Sequence, residues 1–330
     1  MDETNEGPLV VDPEWQVWAA ENLIEGASSS EVVEALTEEG VPLATAQRLV
    51  DEVVASPILA LGRSLLPRAQ GAEQILRMER ERLRNFAISR ISTPSAERFH
   101  RSIRPAHRPI VFEGFLAKSP AVERWTFDWF AERFAGQPIT YVDTSSGKGK
   151  SVDGTMDAFI RRIQEAEDAH HYYSVARNFV LRQEPFGELY DDFLLPEGFV
   201  SEAHHRRASQ MWLGPAGTIT PLHFDTSDVV FSMVRGSKRV QLVPPCELGV
   251  WGLHDGHMLS EARFAEFVEG GGLVFEVEVR APDALFLPVG WLHRVVALEP
   301  SITMSINGFK DNNVAWYTPG VIRLDAEVSG

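Results

Sequence analysis

The chain contains a single cysteine, Cys246, among its 330 residues. One thiol cannot build a disulfide framework within the chain, and it cannot supply a cysteine-based zinc site. Basic residues are also few, because 31 lysines and arginines are set against 47 acidic residues and leave a net charge of −16. Such an acidic surface repels a phosphate backbone, so we expect no nucleic-acid partner.

Long apolar runs are also missing. No stretch of about eighteen apolar residues occurs, and no basic segment followed by an apolar run opens the sequence. We therefore expect a soluble, cytoplasmic protein without a membrane partner. With 44% hydrophobic and 24% charged residues, the composition is that of a globular protein, and 330 residues suffice for one large domain and a small one.

The most informative motif is His223-Phe224-Asp225, which is followed far downstream by His293. On a β-strand, His223 and Asp225 point to the same face because one residue separates them. Two imidazoles and one carboxylate on one side of a ferrous ion leave the opposite positions open, and non-haem iron oxygenases use this arrangement. The motif alone is common by chance, so its surroundings decide the interpretation.

Those surroundings are residues 214–225, residues 229–245 and residues 283–295, the last of which contains Pro-x-Gly-Trp shortly before His293. Together these blocks resemble the JmjC/cupin-like family of Fe(II)- and 2-oxoglutarate-dependent oxygenases. Within that family they are similar to the protein hydroxylases of the type that hydroxylates an asparagine in hypoxia-inducible factor. The resemblance runs from about residue 109 to about residue 309.

The resemblance implies a mainly β catalytic core, a double-stranded β-helix or jelly roll of the cupin type. Apolar residues at helical spacing predict in addition flanking helices and a small N-terminal helical bundle. The predicted strands cover residues 218–224, 229–234, 239–243, 273–279, 284–287 and 302–306. We predict a hairpin at Arg235-Gly236-Ser237 that pairs the second of these strands with the third.

The resemblance also implies the roles of individual residues. His223, Asp225 and His293 would hold Fe(II), and Lys238 with Thr220 would hold the distal carboxylate of 2-oxoglutarate. A buried ammonium needs an anionic partner, whereas the alternative is an ordinary surface lysine beside Arg239.

Three further positions belong to the predicted site. Asn307 would lie near the metal and the proximal carboxylate of 2-oxoglutarate. Either Tyr172 or Tyr173 would bond the distal carboxylate, and we favour Tyr173, although both could be core aromatics. Asp228 departs from the family, which usually has asparagine there, and an ionised aspartate cannot donate a hydrogen bond to a carboxylate. We expect Asp228 to contact water or substrate, or to turn away.

The predicted domains are a helical bundle at residues 1–66, a linker and helix at residues 67–98 and the catalytic domain at residues 99–330. Ser28 to Glu31 form a capping-box pattern that begins one helix of the bundle, and Pro67 to Gly71 are predicted to be a linker. The bundle is interpreted as a docking module for a peptide or for a second subunit, which would make a homodimer. The alternative is that it packs on the catalytic domain.

The predicted activity is that of a dioxygenase. Fe(II), 2-oxoglutarate and dioxygen would together hydroxylate a C–H bond, most consistently on a peptide or protein side chain. A small-metabolite hydroxylase and a catalytically silent cupin-like binding protein remain the alternatives. A second metal site at His254, Asp255 and His257 is a weaker hypothesis, because such residues in a loop are more often solvated.

Overall fold

The computed structural model describes residues 13–147, 149–167, 169–174, 180–200, 209–225, 227–250, 259–307 and 309. The chain divides into two compact units between Glu81 and Arg82. The second metal site hypothesised at His254, Asp255 and His257 lies outside the described residues. Within the described part of the chain, no helix is both long and apolar enough to cross a membrane.

The first unit is built from helices. They are α1 (Pro13–Glu25), α2 (Ser29–Glu38), α3 (Leu43–Ala55) and α4 (Pro57–Leu83). The predicted capping box is confirmed, since the Ser28 hydroxyl accepts from the Glu31 N–H while the Glu31 carboxylate accepts from the Ser28 N–H at 2.8 Å. A core of apolar residues from the helices holds the unit together; its fully buried members are Ala19, Leu23, Val32, Leu36, Ala46, Leu49, Val50 and Leu59.

The linker predicted at residues 67–71 is wrong, because α4 continues through Pro67 and beyond Gly71. Proline inside a helix removes one hydrogen bond and kinks or breaks many helices. Here strong helix formers on both sides, Leu65 and Leu66 before it and Ala69 and Gln70 after it, favour continuation. The division between the compact units falls inside the segment predicted as linker and helix, residues 67–98.

Within its described residues, the second unit contains three sheets. Their strands are β1 (Ser89–Ser92), β2 (Ile110–Glu113), β3 (Pro138–Asp143), β4 (Lys150–Thr155), β5 (Tyr172–Tyr173), β6 (Gln210–Gly214), β7 (Ile219–His223), β8 (Val229–Arg235), β9 (Ser237–Val243), β10 (Phe275–Arg280), β11 (Ala284–Leu287), β12 (Leu292–Ala297) and β13 (Ser301–Ile306). The six-stranded sheet has the order β1-β2-β11-β8-β13-β6, and the four-stranded sheet has the order β10-β9-β12-β7. The third sheet has the order β4-β3-β5. This mainly β, jelly-roll core with flanking helices confirms the predicted fold class.

Helices flank these sheets. They comprise Ala96–Arg98, Arg104–Ala106, Ala121–Arg124, Phe127–Arg133, Met156–Glu165, Leu189–Asp192, Cys246–Val250 and Glu261–Glu269, together with a π-helical turn at Phe99–Ile103 and 3-10 turns at Ala169–His171, Val180–Arg182 and Phe186–Glu188. The main core forms where helical residues such as Phe130 and Phe159 pack with Val230, Phe286 and Met304 of the six-stranded sheet. The opposite face of that sheet is therefore turned toward the interior of the jelly roll.

The hairpin predicted at Arg235-Gly236-Ser237 is wrong. β8 pairs with β11 and β13, whereas β9 pairs with β10 and β12, so the two consecutive strands lie in different sheets. Gly236 turns the corner with φ +75°, and a Cβ at this position would lie 2.3 Å from the carbonyl oxygen of Pro300. Glycine is suited to such a corner, because other residues tolerate neither this φ nor the close backbone approach.

Candidate active site

The three ligand-type side chains of the predicted metal site come together in the four-stranded sheet. His223 is the last residue of β7, and Asp225 follows it by two residues. His293 lies on β12 directly opposite His223 in the antiparallel pairing of the two strands. One ligand atom from each residue lies within 4.8 Å of the others, and within the described residues this is the only such group.

The two imidazoles are oriented in the same way. His223 Nδ1 lies 2.8 Å from the carbonyl oxygen of Pro221, and His293 Nδ1 lies 3.1 Å from that of Trp291. A carbonyl oxygen can only accept, so each Nδ1 carries the proton and each Nε2 keeps its lone pair. This carbonyl contact is how metal-binding histidines are commonly oriented. On the far side of the ring, His293 Nε2 lies 3.7 Å from Asp225 Oδ2.

Burial keeps one of these rings neutral. Loss of solvation, reinforced by the nearby His293, lowers the pKa of His223 to about 4. A neutral imidazole is the form that binds a metal. The Asp225 side chain remains 45% exposed, so the group is open on one side.

A β-bulge brings Thr220 into the same interior. His293 faces His223, and the next facing pair is Val295 with Thr220. Two residues of β7 therefore lie between these pairs, whereas β12 has only one. Residues three apart on a regular strand point to opposite faces. The extra residue in β7 therefore turns the Thr220 side chain to the same face as His223. Pro221, which has no N–H to donate to the neighbouring strand, lies between these two residues.

Lys238 is the most unusual residue of this interior. It lies on β9, is only 1% exposed and alternates with outward-facing Arg239. Its Nζ donates to the Tyr173 hydroxyl at 2.9 Å and lies 5.3 Å from the centre of the Tyr173 ring and 5.5 Å from that of Phe231. Throughout the described ranges, no carboxylate forms an ion pair with it. Burial therefore lowers the pKa of Lys238 to about 7.

The neighbouring hydroxyls complete a polar pocket in otherwise apolar surroundings. Thr220 hydrogen-bonds Tyr173, whose pKa is raised by burial. Tyr172 turns away and accepts from Arg162 at 2.7 Å, so of the two tyrosines it is Tyr173 that joins Lys238. The pocket thus contains an ammonium and two hydroxyls but, within the described residues, no anion from the protein.

Two arginines on the strands of Lys238 and His293 are occupied elsewhere. Arg239 pairs with Glu276 at 3.3 Å, and Arg294 bonds Glu261 and Gln241. They alternate with the inward residues of their strands, so they face out of the jelly roll.

Two further predicted residues have distinct positions. Asn307 directly follows β13 and is half-buried, and its role toward the co-substrate stays a prediction. Asp228 turns to Arg104, whose Nε donates to Asp228 Oδ2 at 2.8 Å. Asp228 is therefore one half of an ion pair. Sequence reasoning missed Arg104, because no local pattern links residues 124 positions apart.

The donor set fits Fe(II). Two imidazoles and one carboxylate converge from one side, and one imidazole is held neutral by burial. Lys238 lies four positions before Leu242, which pairs with His293, so its backbone is displaced from that of His293 by about 13 Å along the strand at about 3.3 Å per residue.

Comparisons with known proteins identify the class. Residues 96–313, about two thirds of the chain, match the cupin-like domain family. The chain therefore belongs to the cupin-like family, and its relatives include proteins with the JmjC name.

Three relatives illustrate the likeness. Lysine-specific demethylase 8 of Xenopus tropicalis is 25% identical over 241 residues, covering 66% of this chain and 52% of that protein. Jumonji C domain-containing protein 5 of Drosophila melanogaster is 23% identical over 238 residues, covering 67% and 59%. The tRNA wybutosine-synthesizing protein 5 of Gallus gallus is 23% identical over 239 residues, covering 64% and 73%. The chain thus matches little more than half the length of the first two.

We predict that replacing either His223 or Asp225 by alanine weakens metal binding by on the order of 100-fold or more. Loss of one ligand of three costs more than loss of an outer partner, for which about 10–100-fold is usual. Calorimetric titration with cobalt(II) measures the change, and circular dichroism checks that each variant is folded. His170→Ala, which removes an exposed imidazole outside the group, is the control. Near-native affinity in both ligand variants would contradict the assignment.

Proposed function

We propose that this protein is an Fe(II)- and 2-oxoglutarate-dependent dioxygenase that hydroxylates a C–H bond on a peptide or protein side chain. The observation that carries the proposal is the buried Lys238, which has no anionic partner among the described residues and lies in the same interior as the His-Asp-His group. An unpaired buried charge is costly, so its retention favours an anionic ligand. The JmjC family generally uses Fe(II) and 2-oxoglutarate, which agrees with this donor set.

The residues of the pocket have separate tasks. His223, Asp225 and His293 would hold the metal from one side and leave room for ligands on the other. Lys238 would neutralise the distal carboxylate of 2-oxoglutarate, while the hydroxyls of Tyr173 and Thr220 orient it and Phe231 excludes water. When bound, the iron and 2-oxoglutarate supply oxidative decarboxylation to succinate and carbon dioxide, coupled to transfer of one oxygen atom from dioxygen to the substrate.

A macromolecular substrate is favoured by the relatives. Their names include lysine- and arginine-specific demethylases and a tRNA wybutosine-synthesizing protein. The net charge of −16 disfavours RNA, so we propose a protein substrate. Incubation with fractionated cell extract, iron and 2-oxoglutarate tests this by mass spectrometry. Gain of one oxygen atom on a peptide supports hydroxylation; loss of a methyl group indicates demethylation; a modified metabolite or nucleotide contradicts the protein substrate.

We predict that Lys238→Met weakens 2-oxoglutarate binding by about tenfold or more. A hydrogen bond to a charged group contributes about 1.5–3 kcal/mol, and the methionine keeps most of the buried volume. The affinity is measured calorimetrically with the metal-loaded protein under anaerobic conditions. Arg239→Met, on the adjacent outward-facing position, should leave the affinity unchanged. Equal affinity in the wild type and the Lys238 variant would place the distal carboxylate elsewhere.

We also predict a pH dependence. Above about pH 7 the amine of Lys238 is neutral in the ligand-free protein, whereas its ordinary pKa is 10.5. A bound carboxylate favours the charged form of Lys238. The protein should therefore take up a proton when 2-oxoglutarate binds between about pH 7 and pH 10.5. The affinity should therefore fall from pH 7 to 9, by up to about tenfold per unit. Because the unfolded chain keeps this proton, the ligand-free fold should gain stability over the same range.

The control for this pH dependence is Lys238→Arg, whose guanidinium stays charged. If that variant binds 2-oxoglutarate, its affinity should not decline from pH 7 to 9. Calorimetry in buffers of different ionisation enthalpy counts the proton directly. A wild-type affinity that is flat over this range, with no proton uptake, would contradict the proposed pairing of Lys238 with a carboxylate.

We further propose that the N-terminal unit docks a basic, amphipathic segment of the protein substrate. Residues 13–56 contain nine acidic residues and one basic residue. Three of the eleven exposed large apolar side chains of the described chain, Val17, Leu43 and Val54, belong to these same residues. Exposed apolar groups among acidic ones suit a partner with the opposite charge and a matching apolar face.

We predict that deleting residues 1–81 spares substrate-independent turnover of 2-oxoglutarate, because the metal and Lys238 sites lie wholly in the second unit. Hydroxylation of the protein substrate should fall, because remote binding energy positions the reacting bond. Both rates are read from succinate formation, with and without the substrate found by mass spectrometry. A soluble deletion variant with full activity on that substrate would remove the docking role.

A further inference from the structure

The loop at residues 288–291, which leads into β12 and His293, is tied to a distant segment of the chain. The Val289 N–H donates to Asp228 Oδ1 at 2.9 Å, and Asp228 Oδ2 accepts from Arg104 at 2.8 Å. The Trp291 indole Nε1 donates to the His107 carbonyl at 3.2 Å. Two independent connections therefore join this loop to residues 104–107, which precede β2.

The ion pair at the centre of these connections is shielded from water. The side chains of Arg104 and Asp228 are each only 11% exposed. The Arg104 guanidinium also lies 5.1 Å from the centre of the Phe309 ring, so it is held from a second side. Desolvated pairs of this kind have defined geometry, unlike exposed pairs, which contribute little.

The hydrogen bond between Asp228 and Val289 holds the loop that orients a proposed metal ligand. Val289 is two residues before Trp291, whose carbonyl oxygen lies 3.1 Å from His293 Nδ1 and orients the ring. Any shift of the loop therefore moves the acceptor that fixes the direction of His293 Nε2. Partners that orient metal ligands influence metal affinity strongly.

Asp228 suits this role better than an asparagine would. Both of its oxygens accept, one from a backbone N–H and one from a guanidinium. An asparagine has a single acceptor oxygen and carries no charge, so it could keep the first bond but would remove the negative charge that faces Arg104.

We propose that Arg104 and Asp228 form a positioning pair that sets the loop before His293 and thereby the orientation of this ligand. The inference rests on the proposed metal site. In this role Asp228 binds the loop and Arg104, and it does not contact the co-substrate.

The test uses the full chain and cobalt(II) alone as the probe. We expect Arg104→Met and Asp228→Asn each to weaken cobalt(II) affinity by about tenfold, at the lower end of the usual range for partners of metal ligands, and to alter its visible spectrum. The double variant should recover most of the affinity, because the amide oxygen introduced at position 228 can still accept from the Val289 N–H and no buried charge is left alone.

A matched pair in the same unit separates positioning from stability. Asp283 accepts from Arg90 at 2.6 Å and from the Gly114 N–H at 2.9 Å, an arrangement of the same kind at another place. Arg90→Met should lower the melting temperature and leave cobalt(II) affinity and spectrum unchanged. Unchanged cobalt(II) binding in both Arg104→Met and Asp228→Asn, or an equal loss in Arg90→Met, would overturn the positioning role. A wild-type chain that binds no cobalt(II) would overturn the proposed function and this inference with it.

Discussion

The antiparallel pairing of β7 with β12 is the constraint on which the site depends. It sets His293 directly opposite His223, although 70 residues separate them in the sequence. A slip by one residue would turn His293 to the outer face, because side chains alternate along a strand. The bulge beside Pro221 then brings Thr220 into the same interior, so one strand pair supplies both histidines of the proposed metal site and part of the proposed anion pocket.

The second constraint is a charge that the fold buries with no anionic partner among the described residues. Lys238 is at an inward-facing position of its strand, where an apolar side chain is the usual choice. Its ammonium lies near the rings of Tyr173 and Phe231. Burial lowers its pKa to about 7, so the ligand-free protein reduces the cost by releasing the proton. An anionic ligand would restore the charge, which couples co-substrate binding to protonation. The buried pair of Arg104 and Asp228 differs, because both charges belong to the protein.

Much of the catalytic unit could be predicted from the sequence. The spacing of His223 and Asp225, with Pro-x-Gly-Trp ahead of His293, predicted a group that the structure brings together. Alternation and β-branched runs predicted strands well, and residues 284–287 correspond to β11 in full. These features are local or follow from the family resemblance, so the sequence carries them.

The features that could not be predicted depend on distant partners. Gly236 suggested a hairpin, but only the pairing of β8 and β9 with other strands shows that the chain crosses between sheets. Pro67 suggested a linker, yet the surrounding helix formers carry α4 through it. Asp228 was recognised as a departure from the family, whereas its partner Arg104 lies in a segment without any motif. For Gly236 and Pro67 alike, the surrounding residues and strand pairings outweighed the usual structural preference of the residue type.

The central claim is that the His-Asp-His group and Lys238 together bind Fe(II) and 2-oxoglutarate. Anaerobic titration of the iron-loaded protein with 2-oxoglutarate, followed by visible absorption, tests it most directly. We expect a charge-transfer band that grows to saturation as the 2-oxo acid chelates the iron. An iron-loaded protein that develops no band at saturating 2-oxoglutarate would contradict it.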